Sequence, residues 1–298
     1  MPQGIFSQFA GKPLLDIRSL GRKGPGRRDR ISAAEAEVMR RTLNRDPEVL
    51  VKVVSKGGQD LKAVADHLKY IGREGDVELM DDEGRMHQGK DAADAVIRDW
   101  NLDLQEHRPR FALRATDKGK PPKLVHKLIF SMPAGTPPDK VFAAVQNFAR
   151  EEWALQHRYV MALHTDQPQP HVHVLVKALS EQGERLNIRK ATLRMWRSEF
   201  ARHLREQGVR ANATDRLSRG RIGRSMPDGL FRADERKALT QIKVKTYEAP
   251  IGTISHGGTF SAILDEIRQG WIGAAKAISF RPEIERQVPK PAPPDLTR

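Results

Sequence analysis

The chain has 298 residues, a formal net charge of +14 and no cysteine. That length suffices for one large domain or two small ones with a proper core. The missing thiols exclude a disulfide scaffold and a thiolate zinc site, so a bound metal has to rest on His, Asp and Glu. No apolar run approaches the ~20 residues that cross a bilayer, and the N-terminus lacks the apolar centre of a secretory signal, so the expectation is a cytoplasmic protein without membrane insertion.

Residues 1–47 run through "GRKGPGRRDR" into the helical stretch "SAAEAEVMRRTL" and read as a basic, partly disordered arm. The compact part begins with the β-rich run "EVLVKVVS" (48–55), followed by a helix from about Asp60 to Gly72. A polar, hairpin-like patch "DVELMDDEGR" and a helix over "KDAADAVIRDWNLDL" come next. The strand "HKLIFSMP" precedes a long helix over "PDKVFAAVQNFAREEWALQ", with Pro138 suited to its first turn. Two strands, "RYVMALH" and "HVHVLVKAL", are joined by "TDQPQP", and a basic helix spans about Lys190 to Glu206. This order predicts an α+β fold, a mostly antiparallel central sheet with helices on one side, over residues 48–225. Residues 226–298 form an extension with helical stretches, "RADERKALTQI" and "SAILDEIRQGWIGAAKAI", and a Pro-rich tail.

Charge is concentrated in two places. Arg185 to Arg224 holds twelve Arg or Lys against three acids, and the first thirty residues hold seven against two. One such run is commonly a solvated face; two favour a polyanion, above all nucleic acid.

The stretch "LHTDQPQPHVHVLV" carries three histidines. In a strand His171 and His173 project to one face, and a hairpin brings His164 beside them. Three imidazoles with coordination positions left open suit a catalytic ion, with Asp166 able to orient an imidazole by hydrogen bonding. The residues by themselves equally allow hydrogen-bonded surface histidines. All-imidazole ligation suits Mn, Zn, Co or Ni in vitro, while Mg or Mn follows from cellular availability.

Of the three tyrosines, Tyr159 belongs to an apolar strand and reads as structural, Tyr247 lies in the weakly patterned C-terminal part, and Tyr70 lies off the apolar stripe of its helix. At about 100° per residue, Leu61, Val64, Ala65, Leu68 and Ile71 share one face and Tyr70 falls opposite. Between Lys69 and Arg73 it reads either as an amphipathic surface residue or as an activated nucleophile. A phenol ionises near pH 10 and needs cations nearby to attack at neutral pH.

Together these stretches resemble a known family. "HTDQPQPHVHVLV" resembles the third motif of the MobP-type relaxases of conjugative and mobilisable plasmids, a group within the HUH endonucleases that includes the T-DNA border nuclease. "DHLKYIGREGDVEL" resembles the motif carrying their nucleophilic tyrosine, "HKLIFSMPAGTPPD" the strand and proline turn between the two, and "DRLSRGRIG" the basic stretch that follows. The resemblance runs from about Val51 to Gly223. Departures from the pattern are Gln167, Pro168 and Gln169, where relatives often carry another acid, Asn or His, and Lys177, where an Asn frequently stands.

The resemblance implies a palm like that of rolling-circle initiators and nicking of single-stranded DNA at an origin of transfer. Tyr70 attacks the scissile phosphate, stays on the 5′ phosphate and frees a 3′ hydroxyl; His164, His171 and His173 hold the divalent ion, and Asp166 orients or polarises one member of the site. It also implies accessory relaxosome proteins, a secretion coupling protein and export attached to DNA. Lys69, Arg73, Arg189, Lys190, Arg194, Arg219, Arg221 and Arg224 are the expected phosphate contacts. His126 and Trp196 read as structural. Three other readings are a rolling-circle initiator or transposase, a non-catalytic single-strand binder and a small-molecule metallohydrolase. The tyrosine motif preceding the histidines favours relaxases, the retained ligands and tyrosine oppose the second, and the basic tract opposes the third.

Overall fold

In "YVMALH" and "HVHVLVK" apolar residues occupy both alternations, so strands built from them bury side chains on both faces. The computed structural model describes residues 15, 17–21, 31–54, 58, 60–102, 123–215, 218, 219 and 265–274. Its strands are β1 (Leu50–Val54), β2 (Leu79–Asp81), β3 (Met86–His87), β4 (Val125–Ser131), β5 (Tyr159–His164) and β6 (His171–Lys177). They form one sheet in the order β1-β4-β6-β5-β2-β3 with every pairing antiparallel, so β5 and β6 lie at its centre. The antiparallel α+β architecture is as expected. The polar patch after the tyrosine helix goes further than a surface hairpin: its strands β2 and β3 extend the sheet through Met80 opposite Met161.

One expectation is corrected. Helices cover both faces of the sheet, because the central strands are apolar on both. On one face lie α3 (Leu61–Ile71) and α4 (Ala92–Asp99), whose Val64, Leu68, Ile71, Val96 and Ile97 pack on Val125, Val160, Ala162 and Leu175. On the other lie α5 (Pro138–Trp153) and α6 (Lys190–Glu206), packed on Leu128, Phe130, Val172 and Val174. That second core is aromatic. Phe130 meets Phe148 at 5.0 Å and Phe200 at 5.2 Å between ring centroids, and Trp196 is fully buried with Nε1 donating to Glu152 at 2.7 Å. Each such side chain contributes about 1.5–3 kcal/mol through burial. His126 shares the face of Leu128 and Phe130, and its Nε2 donates to the Leu186 carbonyl at 3.1 Å.

Contacts gather the chain into two units, Met1–Lys12 with Arg45–Ala213, and Pro13–Asn44 with Thr214–Arg298. In the second unit α1 (Ile17–Gly21), α2 (Ala33–Leu43) and the helical residues 265–274 share a small core of Ile17, Val38, Met39, Ile267 and Ala274. Ser32 and Glu35 form a capping box at the start of α2. "RADERKALTQI" and the Pro-rich tail lie outside the described residues.

Candidate metal centre and tyrosine

The β5–β6 register sets His164 directly opposite His171 and places His173 opposite Ala162. Three imidazoles therefore converge on the α3 side of the sheet's end. Ring centroids lie 5.2 Å apart for His164 and His171, 4.6 Å for His164 and His173, and 5.2 Å for His171 and His173. One nitrogen from each lies within 4.8 Å of the others.

Hydrogen bonds decide which nitrogen each ring can offer. His164 Nε2 donates to the Ile71 carbonyl at 2.7 Å, leaving Nδ1 as the lone pair. His171 Nδ1 donates to the Gln169 carbonyl at 3.0 Å, leaving Nε2. His173 is buried, and its Nδ1 has no hydrogen-bond partner among the described residues, a cost of about 1–3 kcal/mol that a ligand would remove. Burial, with His164, His171, His67 and Arg73 nearby, holds His173 down at about 3, and burial also lowers His164, partly offset by its bond to Ile71. Three converging imidazoles, each with one nitrogen lone pair to offer, are what a divalent ion requires, so these residues fit one.

Helix α3 supplies the neighbour. Asp60 caps it, accepting from the Ala63 amide at 2.7 Å, and its apolar stripe locks it onto the sheet. Tyr70, on the opposite stripe, is 51% exposed, yet its ring meets His173 edge-on, 5.9 Å between centroids. The chain then turns sharply. Arg73 (φ 48°) and Glu74 (φ 56°) are left-handed and Gly75 (φ 105°) follows, its carbonyl accepting from the Gly89 amide at 3.2 Å. This turn sends the Arg73 guanidinium back over the Tyr70 ring, 5.3 Å from its centroid. There it pairs with Asp166 and donates to His164 Nδ1 at 3.3 Å.

Asp166 thus contacts Arg73, while backbone carbonyls of Ile71 and Gln169 set the tautomers that the sequence reading left to an acid.

Two residues near the site escaped the sequence reading. His67 lies one turn before Tyr70 with its ring nearly parallel, 6.0 Å between centroids, and 6.2 Å from His173. Burial, then Lys127 and His164, push it down to about 4. Lys127 is buried beneath α3, its Nζ donating to the Ala63 carbonyl at 3.1 Å. The i to i+3 spacing of His67 and Tyr70 was the available signal; Lys127 gave none beyond strand alternation.

The expected DNA contacts divide. Lys69 is exposed next to Tyr70 and Arg73 lies in the site. Lys52, on edge strand β1, is exposed on the histidine face, opposite Ile129, which is opposite His173. Arg189, Lys190 and Arg194 belong to the start of α6, across the sheet from the histidines. Arg219 lies in the second unit, and Arg221 and Arg224 lie outside the described residues.

Residues 79–209 match the family described as Relaxase, MobA/VirD2-like, nuclease domain. The matched stretch holds the three histidines and Asp166 and begins after Tyr70. The T-DNA border endonuclease VirD2 of Agrobacterium fabrum is 25% identical over 217 residues, covering 66% of this chain and 46% of that protein. Its namesake from Rhizobium rhizogenes is 26% identical over 213 residues, covering 64% and 46%. The chain thus spans about half the length of the curated relatives it matches. A chain solved in work on the molecular basis of vancomycin resistance transfer in Staphylococcus aureus is similar at 16% identity and a TM-score of 0.35, over 57% of this chain and 99% of that one. Residues 79–209 are therefore similar to the nuclease domain of the MobA/VirD2-like relaxases.

Proposed function

We propose that the chain nicks single-stranded DNA at a plasmid origin of transfer, with Tyr70 as nucleophile and His164, His171 and His173 as the holders of a divalent ion. The observation that carries this reading is the half-exposed Tyr70 ring set against buried His173, 5.9 Å between centroids. The Tyr70 hydroxyl oxygen attacks the scissile phosphorus; an Oη–P bond forms and the bond to the 3′ oxygen breaks. The phenol loses its proton and the departing oxygen takes one up, so the products are a 5′ phosphotyrosine and a free 3′ hydroxyl with no net proton change. One phosphodiester replaces another, so the same site can rejoin the strand.

A divalent ion, Mg or Mn in the cell, supplies positive charge to the phosphate oxygens when bound. Arg73, over the Tyr70 ring, faces the place where negative charge develops. Asp166 holds that guanidinium in place. Lys69 and Lys52 take phosphates next to the nick, and Arg189, Lys190, Arg194, Arg219, Arg221 and Arg224 take phosphates farther along the strand. The partners of this reaction are accessory relaxosome proteins and a secretion coupling protein, and its place is the cytoplasm.

The test is incubation with a single-stranded oligonucleotide bearing the cognate nick site, plus Mn or Mg. A protein–DNA adduct should survive denaturing electrophoresis, vanish with chelator and be missing in Tyr70→Phe. An adduct persisting in Tyr70→Phe assigns the attack to another residue. Binding without cleavage under any metal makes the chain a single-strand binder instead.

A further inference from the structure

Arg73 is held at a cost. It and Glu74 are consecutive non-glycine residues with positive φ, a conformation that L side chains rarely adopt. Gly75 anchors the turn against Gly89 so closely that a Cβ there would lie 2.5 Å from the Gly89 carbonyl carbon. What this strained turn accomplishes is the delivery of one guanidinium to one spot: above Tyr70, paired with Asp166, and donating to His164 Nδ1 at 3.3 Å.

That last contact has a chemical consequence. His164 Nε2 carries the ring proton and donates a hydrogen bond to the Ile71 carbonyl, so Nδ1 holds the single lone pair with which His164 can ligate an ion. One lone pair serves one partner. A guanidinium N–H directed at Nδ1 and a cation bound through Nδ1 exclude each other, and like charges a few ångströms apart add to the exclusion. Arg73 has somewhere to go, since its guanidinium already lies over the open face of Tyr70, where a phosphate would approach.

We propose that Arg73 is a gate on the metal centre: it and a divalent ion compete for His164 Nδ1, and ion binding drives the guanidinium off His164 toward the phosphate site. The inference rests on the reading of the three histidines as a metal centre. It orders the events, with the ion bound before the DNA is gripped. It also makes Arg73 act on metal affinity with a sign opposite to that of a residue supporting the ion.

The test measures Mn(II) binding to the DNA-free protein, by calorimetry and by the resonance signal of free Mn(II), at fixed neutral pH. Arg73→Ala should bind Mn(II) about tenfold more tightly than the wild type. Arg73→Gly, which also suits the positive φ, should do the same if the alanine variant folds poorly. Arg73→Lys, keeping a cation beside Asp166, should fall between alanine and wild type. His173→Ala should lose Mn(II) binding. Equal or weaker binding in both Arg73→Ala and Arg73→Gly, with His173→Ala still defective, overturns the gate and leaves the metal centre standing. Unchanged binding in His173→Ala overturns the metal centre itself, and the gate with it.

Discussion

His126 is where a single residue's environment makes a prediction free of the metal site. Burial, with Lys123 adding, holds its imidazole down at about 4, against an ordinary 6.5. Between those values the unfolded chain binds a proton that the folded one does not, so stability is full above about pH 6.5 and falls as the pH drops through the window. The slope for one such group is about 1.4 kcal/mol per pH unit. Urea unfolding at pH 7.5 and pH 5.5 should therefore show a loss on acidification, and His126→Asn should shrink that loss by up to about 1.4 kcal/mol. An unchanged loss would mean that His126 protonates freely in the folded protein. His67, down at about 4, and His173, at about 3, push in the same direction. The histidines themselves were legible: His171 and His173 by strand alternation, His164 by the hairpin. The choice of ring nitrogen at His164 was not, because it depends on the Ile71 carbonyl at the end of α3, far away in sequence.

Among the elements, α3 and its terminal turn carry most of the site. Asp60 is its N-cap, and Asp60→Ala should cost about 1 kcal/mol in thermal or urea unfolding, with Asp60→Asn recovering most of it because the amide oxygen also caps. Two glycines of positive φ separate backbone strain from steric clash. Gly84 (φ 83°) has open space where a Cβ would go, so Gly84→Ala should cost about 1 kcal/mol. Gly75 (φ 105°) would drive its Cβ into the Gly89 backbone, so Gly75→Ala should cost about 3 kcal/mol and lower nicking as well, by releasing Arg73. Equal losses at the two positions would show that the Gly75–Gly89 contact carries no weight. The amphipathic stripe of α3 made Tyr70 stand out in the sequence. The left-handed run at Arg73 and Glu74 did not, since neither residue type announces positive φ and the turn packs through Gly75 on Gly89, fourteen positions on.

Over the Arg45–Ala213 unit as a whole, the two faces of the sheet divide the work: histidines, Tyr70, Arg73 and Lys52 on one side, the aromatic core and basic α6 on the other. With a short oligonucleotide covering only the nick site, Lys52→Ala and Lys69→Ala should each weaken binding and reduce the salt slope by about 0.7. The double variant Arg189→Ala with Lys190→Ala should change binding only with a longer strand that reaches around the sheet. If it weakens short and long oligonucleotides alike, the strand takes another path. By itself the sequence determined the elements, the antiparallel α+β class, the histidine cluster and the odd placement of Tyr70, because these follow from local periodicity and from spacing within one hairpin or helix. Only the tertiary structure decided that helices cover both faces and that Asp166 contacts Arg73 rather than an imidazole. It alone also set Arg73 between Tyr70 and His164. Those outcomes depend on which side chains and carbonyls long-range packing brings within hydrogen-bonding reach, and the 91 residues that separate Arg73 from His164 carry no local trace of it.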